Sequence, residues 1–234
     1  MSGTLYGIGV GPGDPELITL KALRLLQAAP VIAWPAPPEG ESLARKIAAP
    51  HITHNPKEIA IRMPLEVTQF PDRGVYDQAA IEIGAHLRAG QDVVALCEGD
   101  PFFYGSFMYL YDRVVDHHPV VVVPGVSSLM AAAAAAGSPL ASRNDMLSII
   151  PAPLPEAALS AAINGADSAA IIKVGRHLGK VRRVLHELGL IGIAQYVEHA
   201  TMPHESTRRL AEITEDAAPY FSMILVHRRG TALR

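Results

Sequence analysis

Residues 93–106 read VVALCEGDPFFYGS and bring together two carboxylates, Glu98 and Asp100, a thiol, Cys97, and three aromatic rings, Phe102, Phe103 and Tyr104. Gly99 removes a side chain between the carboxylates, so a ligand could lie against bare backbone there. A second polar group is Pro124-Gly125-Val126-Ser127-Ser128, where two small hydroxyls follow a Pro-Gly turn. They could cap the alanine-rich helix that follows or donate hydrogen bonds to a ligand lying across its end. A third set is cationic or titratable: His51, His54, Lys57, Arg62 and Arg73 in a proline-punctuated stretch. It reads either as a solvated surface loop or as a cationic rim for an anionic ligand.

Spacing weighs against several chemistries. The glycines at 7, 9, 11 and 13 suggest a dinucleotide fingerprint, but G-x-G-x-x-G starting at Gly9 would need glycine where Asp14 stands, and starting at Gly7 where Pro12 stands. No acidic residue closes the following run Val31-Ile32-Ala33-Trp34 to hold a ribose, and no G-K-[ST] follows a glycine-rich turn. There is no nucleophile elbow, CxxC or HExxH, so neither a serine hydrolase nor a zinc site is indicated and no metal is expected. Cys97 is the only cysteine and lies within an apolar run, which points to buried packing rather than catalysis and fits a reducing cytoplasm.

The elements that must carry these groups alternate. Residues 93–97 are an unbroken apolar run, as expected of a strand buried on both faces of a parallel sheet, and the Glu-Gly-Asp-Pro turn lies at its carboxyl end, where such sheets bind ligands. Strands are expected over 4–10, 31–34, 93–97 and 120–123, and a helix after Gly13, with Asp14 as N-cap and Pro15 at its first position. Further helices are expected over 41–49 and 76–90, while 51–74 reads as irregular because Pro56, Pro64 and Pro71 block long elements. Beyond Pro124 the order changes, with strands over 146–150, 169–174, 193–197 and 223–226 and helices over 156–163 and 178–188. The reading is α/β with two domains, 1–123 and 124–234. Of 234 residues 49% are hydrophobic and 18% charged, which fits filled cores. The net charge of −3 gives no pull toward nucleic acid or membrane, no signal peptide is visible, and the apolar stretch 120–136 is too broken to span a bilayer. A cytoplasmic protein is expected.

Four ordered motifs resemble the tetrapyrrole (corrin/porphyrin) methylases, which transfer methyl groups from S-adenosylmethionine. They are residues 7–22, GIGVGPGDPELITLKA; the loop 98–106; Val123-Pro124-Gly125-Val126-Ser127-Ser128; and Val197-Glu198-His199-Ala200-Thr201-Met202-Pro203. Residues 96–111, 172–177 and 219–226 are most similar to the branch that methylates carbon C20 of precorrin-2. One departure stands at His199, where the family often has arginine. The resemblance implies two α/β domains of the class III methyltransferase type, an interdomain cleft for the cofactor, and a homodimer. It also implies S-adenosylmethionine as methyl donor, S-adenosylhomocysteine as product and a tetrapyrrole substrate, with no nucleic-acid or membrane partner. Pro12, Gly99, Asp100, Phe103, Ser127, Ser128, Val174 and Ala200 become the cofactor-binding set, and Arg62 and Arg73 the candidate ligands for substrate carboxylates. Asp100 and Tyr104, with Glu98 on the same loop, are the candidates for taking up the proton that the methylated carbon must lose. A cobalt-bearing ring or another corrin carbon is the alternative within the family. A binding protein without turnover is the alternative from another class.

Overall fold

The structure, a computed structural model, describes residues 2–63 and 73–230. By its internal contacts the chain forms two compact units, Met1–Ser127 and Ser128–Arg234.

The first unit is a five-stranded sheet in the order β3-β2-β4-β1-β5, every neighbouring pair parallel. Its strands are β1 (Leu5–Gly9), β2 (Val31–Ala36), β3 (Lys57–Arg62), β4 (Val93–Cys97) and β5 (Val120–Val123). Helices α1 (Leu20–Ala28) and α2 (Leu43–Ala48) cover one face, and α3 (Arg73–Arg88) and α4 (Phe107–Val114) the other. Successive residues of β4 serve opposite faces: Val94 and Leu96 pack with Ala22, Leu26 and Ile47, while Val93, Ala95 and Cys97 pack with Ile83, Phe107 and Leu110. That double burial is why β4 is apolar at every position.

Two expectations are corrected here. Residues 51–74 are not irregular throughout, because 57–62 form β3, paired along its length with β2. The prolines that suggested irregularity flank the strand and leave its ladder amides free. Asp14 accepts from Glu16 N–H at 2.8 Å but caps only a single 3₁₀ turn (Pro15–Leu17), and α1 begins later, with Thr19 as its cap. Pro35 sits inside β2, where β4 pairs only with Val31–Ala33 and so leaves no ladder partner needing a Pro35 N–H.

The second unit is a mixed sheet, β6 (Leu147–Pro151), β7 (Ser168–Ile172), β10 (Ser222–His227), β8 (Gln195–Glu198) and β9 (Ser206–Arg209), in that order. β6 and β7 are parallel and the remaining pairs antiparallel. Helices α6 (Glu156–Asn164) and α7 (Leu178–Glu187) bury Leu159, Ile163, Val181, Val184 and Leu185 against Ile171, Tyr196 and Ile224, and α5 (Ser128–Ala135) packs on β8 and β10. The four-residue polar strand β9 carries no apolar alternation and was not expected. No described helix is long and apolar enough to cross a membrane.

Candidate functional site

Adjacent strands β4 and β1 of the first sheet send their connections in opposite directions. From β1 the chain crosses by α1 toward β2; from β4 it crosses by α4 toward β5, and the two helices lie on opposite faces. Right-handed crossovers put these two helices on opposite faces, and in open α/β sheets ligands sit in the crevice beyond the carboxyl ends of such strands. The loops that end those strands meet across it: Gly99 N–H donates to Gly11 C=O at 2.8 Å and Gly11 N–H to Gly99 C=O at 3.4 Å.

The glycines here serve backbone packing. A Cβ on Gly9 would strike Gly99 O and would lie 2.5 Å from Gly125 Cα; one on Gly125 would strike Gly99 O and lie 2.7 Å from Gly9 Cα. Two positions earlier, Gly7 leaves room for the Phe107 ring of α4. The alternation at 7 and 9 therefore marks one face of β1 on which a helix and two loops close in, a physical reason for a glycine pattern that matches no phosphate-binding fingerprint. Gly99 itself has φ 64°, which adds a backbone requirement to the bare surface expected of it.

Asp100 fastens this arrangement. One carboxylate oxygen accepts from Phe102 N–H at 2.9 Å and the other from Gly125 N–H at 3.0 Å, tying the loop after β4 to the loop after β5. Next to it, Phe103 is half-buried and meets the Tyr104 ring edge-on at 5.1 Å. Tyr104 is half-exposed and held at φ 56°, a conformation rare for a bulky residue and concentrated at functional sites. Pro12 is buried beside the Gly11–Gly99 bridge, and Ser127 ends the first unit, half-buried. Pro12, Gly99, Asp100, Phe103, Tyr104 and Ser127 thus all lie on loops at the carboxyl end of one sheet.

Cys97 is buried beneath this loop, 2.8 Å from where a Cβ on Gly105 would stand, and burial pushes its thiol up to about 11. It is a packing residue. Burial likewise raises the Glu98 carboxyl, whose Oε1 accepts from Ala44 N–H at 3.2 Å. Tyr76 of α3 is buried with its hydroxyl unpaired, and burial raises it to about 12. It faces a cavity of about 10 Å³ lined also by Trp34, Pro35 and Ser106, room for about one water.

The cationic stretch is largely engaged in structural contacts. His51 Nε2 donates to Pro15 C=O at 3.1 Å and His54 Nε2 to Ala29 C=O at 2.8 Å. Arg62 donates to Pro37 C=O at 3.2 Å and Pro38 C=O at 3.3 Å, bracing the proline-rich loop after β2. Arg73 opens the backbone of α3, but its side chain lies outside the described residues, as do Pro64 and Pro71.

In the second unit the loops after β7 and β8 and the approach to β10 share one end of the sheet. Val174 is fully buried after β7 and Ala200 half-buried after β8, while Ser128 is exposed at the start of α5. His199 N–H donates to Phe221 C=O at 2.8 Å and Ala218 N–H to Gly175 C=O at 3.0 Å, so residues 218–221 join the two loops. Lys173, His199 and Thr201 all have positive φ, at 57°, 50° and 67°. The His199 ring meets those of His204 at 5.6 Å and Phe221 at 6.2 Å. His177 is lowered by burial and by the charges of Lys180 and Arg176. A cavity of about 310 Å³ along α7 is lined by Arg182, Arg183 and His186, but Glu187 and Asp216 share its wall and it includes none of the candidate residues. Among the described residues no group of three or more His, Cys, Asp or Glu could hold a metal ion.

Two α/β units with their glycine-tight or strained loops gathered at the carboxyl ends of strands define a class of proteins that handle small molecules at those ends. More particularly, the chain matches the Tetrapyrrole (Corrin/Porphyrin) Methylases over residues 4–214 and belongs to that family. It is 40% identical over 232 residues to the cobalamin biosynthesis protein CobIJ of Mycobacterium tuberculosis, covering 96% of this chain and 46% of that protein, so it spans about half the length of that relative. It is 38% identical to a precorrin-2 C(20)-methyltransferase of a Sinorhizobium species, covering 96% of this chain and 95% of that one. Among solved structures it is similar to a uroporphyrin-III C-methyl transferase from Thermus thermophilus complexed with S-adenyl homocysteine, with a TM-score of 0.70 and 26% identity over 95% of this chain and 97% of that one.

Proposed function

We propose that the chain transfers a methyl group from S-adenosylmethionine to carbon C20 of precorrin-2, giving precorrin-3A and S-adenosylhomocysteine. The observation that carries this reading is the 38% identity to a precorrin-2 C(20)-methyltransferase across nearly the whole of both chains. The methyl donor is a sulfonium, so the chain's task is alignment, and proximity and orientation supply about 7–11 kcal/mol of such a barrier. Pro12, Gly99, Asp100, Phe103, Ser127, Ser128, Val174 and Ala200 form the proposed donor-binding set. Asp100 contributes by fixing the loops, since both its oxygens already accept backbone N–H groups. Tyr104, half-exposed on the same loop, is the better placed of the two to meet the proton released from C20. Arg62, with Arg73, is proposed to meet the carboxylates of the macrocycle, where guanidinium forks suit the geometry. The protein is proposed to act as a homodimer in the cytoplasm.

Incubation with methyl-labelled S-adenosylmethionine and precorrin-2, followed by carbon NMR, should place the label on C20. A label on any other carbon assigns the chain to a different branch, and no turnover of the donor leaves only a binding protein. Light scattering of the same preparation should give about twice the 25.0 kDa chain mass. A monomer at micromolar concentration would remove the dimer.

A further inference from the structure

We infer that Glu98 is a positioning residue, a latch that fastens the methyl-donor loop to helix α2 and that works in its ionised form. The inference rests on the reading above for the loop's ligand, but its geometry stands independently. Glu98 lies between Cys97, whose carbonyl accepts from Val10 N–H at 2.9 Å, and Gly99, which exchanges hydrogen bonds with Gly11. From that point its side chain crosses to a residue 54 positions earlier, accepting from Ala44 N–H in the first turn of α2 at 3.2 Å. Ser42 caps the next amide of that turn, accepting from Arg45 N–H at 3.4 Å. The segment leading into α2 is held at its other end by Arg62, through Pro37 C=O and Pro38 C=O. One carboxylate therefore joins the loop after β4 to helix α2, which follows the neighbouring strand β2.

The residue type is an expensive choice for that contact. A glutamine oxygen could accept the same amide without placing a charge in a half-buried site. Among the described residues no cation pairs with Glu98. Arg45 of α2 is bonded to Glu58 at 2.7 Å and stacks over Trp34, and Lys46 is exposed. The other titratable groups that feel Glu98 are Tyr76 of α3 and Cys97 of β4, and both stay neutral because burial raises them. Burial also raises Glu98 itself. A carboxyl placed where burial disfavours its charge, next to the loop proposed to hold the donor, fits a functional demand better than a structural one. The ionised form accepts the more strongly, because hydrogen bonds to charged acceptors are about twice as strong as neutral ones.

The sign of the pH effect separates this role from simple packing. With its folded value above the unfolded one of about 4.3, Glu98 favours the folded state most at low pH, and that contribution is lost as pH rises through the raised value. Donor-site affinity should move the opposite way, strengthening over the same range as the latch ionises. Calorimetric titration with S-adenosylhomocysteine between pH 5 and pH 8, on the full chain, reads the second effect, and thermal melting reads the first. For wild type, affinity should fall several-fold as pH drops through the raised value of Glu98. Glu98→Gln should flatten that profile and melt higher than wild type at pH 8. Glu98→Ala should bind about tenfold more weakly throughout, the scale of one lost charge-assisted hydrogen bond. Hydrogen exchange of the Ala44 and Gly99 amides should quicken by a similar factor in Glu98→Ala, with no ligand present. If Glu98→Gln keeps the wild-type pH profile, or if the two amides exchange in Glu98→Ala as in wild type, Glu98 is not a latch. If wild type binds no S-adenosylhomocysteine, the functional reading fails and the exchange experiment alone decides on Glu98.

Discussion

The loop ends of the two sheets achieve unusual backbone by opposite means. In the first unit the chain removes side chains: Gly9, Gly99 and Gly125 touch backbone to backbone, and Gly7 admits the Phe107 ring. In the second it keeps them at three positions, holding Lys173, His199 and Thr201 at positive φ, as the first does at Tyr104. The energetic difference is where the cost falls. Glycine costs about 0.5–1 kcal/mol through the freedom of the unfolded chain. A side chain forced into the left-handed region costs about 1–2 kcal/mol in the folded state itself. Where Gly9, Gly99 and Gly125 meet, the first end is thus a fixed floor that excludes side chains. The second is a strained rim that displays an imidazole pair and exposed aromatics.

The sharpest way to break that contrast is to add one methyl group to each end. Gly125→Ala would drive its Cβ into Gly99 O and to 2.7 Å from Gly9 Cα, both backbone, one of them in a central strand. Neither neighbour can turn aside, so the cost should reach or exceed the about 3 kcal/mol at the top of the usual overpacking range. Gly175→Ala, with φ 35° and nothing within 4 Å of its Cβ, should cost only the backbone strain of about 1 kcal/mol. Urea unfolding of each variant against wild type, followed by circular dichroism for the whole chain and by the single tryptophan, Trp34, for the first unit, compares them. Equal losses would mean that the glycine floor is not tight.

How much of this was legible beforehand follows the same division. The apolar run of β4, the switch to a turn at Glu98 and the core stripe of α7 follow from local pattern, and they place the loop at a strand's carboxyl end. The motif resemblance supplied the family. Strand β3 was hidden because Pro56 and Pro64 bracket it, and proline beside a strand looks in sequence like proline within one. Strand β9 was hidden because Ser-Thr-Arg-Arg at a sheet edge needs no apolar face. The bonds from Asp100 to Gly125 N–H and from Glu98 to Ala44 N–H span 25 and 54 residues, and no local period encodes them. The bonds of His51, His54 and Arg62 to carbonyls 24 to 36 residues away were hidden in the same way.

A smaller effect is expected from the carboxylates that tie each end. Asp100→Asn offers one oxygen where two amides now bind, and turns an NH₂ group toward the other. One of Phe102 N–H and Gly125 N–H then loses its acceptor in a half-buried loop, a loss of about 1–3 kcal/mol. The corresponding tie in the second unit is Glu205, exposed, which accepts from Thr201 N–H at 2.6 Å. Water can replace it, so Glu205→Gln should stay within about 0.5 kcal/mol. Chemical denaturation of the two variants reads the difference directly. A loss for Glu205→Gln as large as that for Asp100→Asn would put a fixed floor at both ends.

The smallest expected change in stability is the most telling about the rim. His199 has φ 50°, with its amide on Phe221 C=O and its ring beside those of His204 and Phe221. His199→Gly relieves about 1–2 kcal/mol of folded-state strain. Against that stand the glycine's own entropy, about 0.5–1 kcal/mol, and two lost ring contacts, each worth about 0.5–1.5 kcal/mol when fully packed and less at a half-exposed position. The terms nearly cancel, so the melting temperature should hold within the shift that about 1 kcal/mol produces in a chain of this length, roughly 2–4 °C. Turnover should fall, because the imidazole is gone from a loop whose strained geometry persists only while its surroundings enforce it. An ordinary packing residue would show the reverse, with stability lost and turnover of the folded fraction kept. That outcome, measured by melting and by the rate per folded molecule, would make His199 part of the supporting structure.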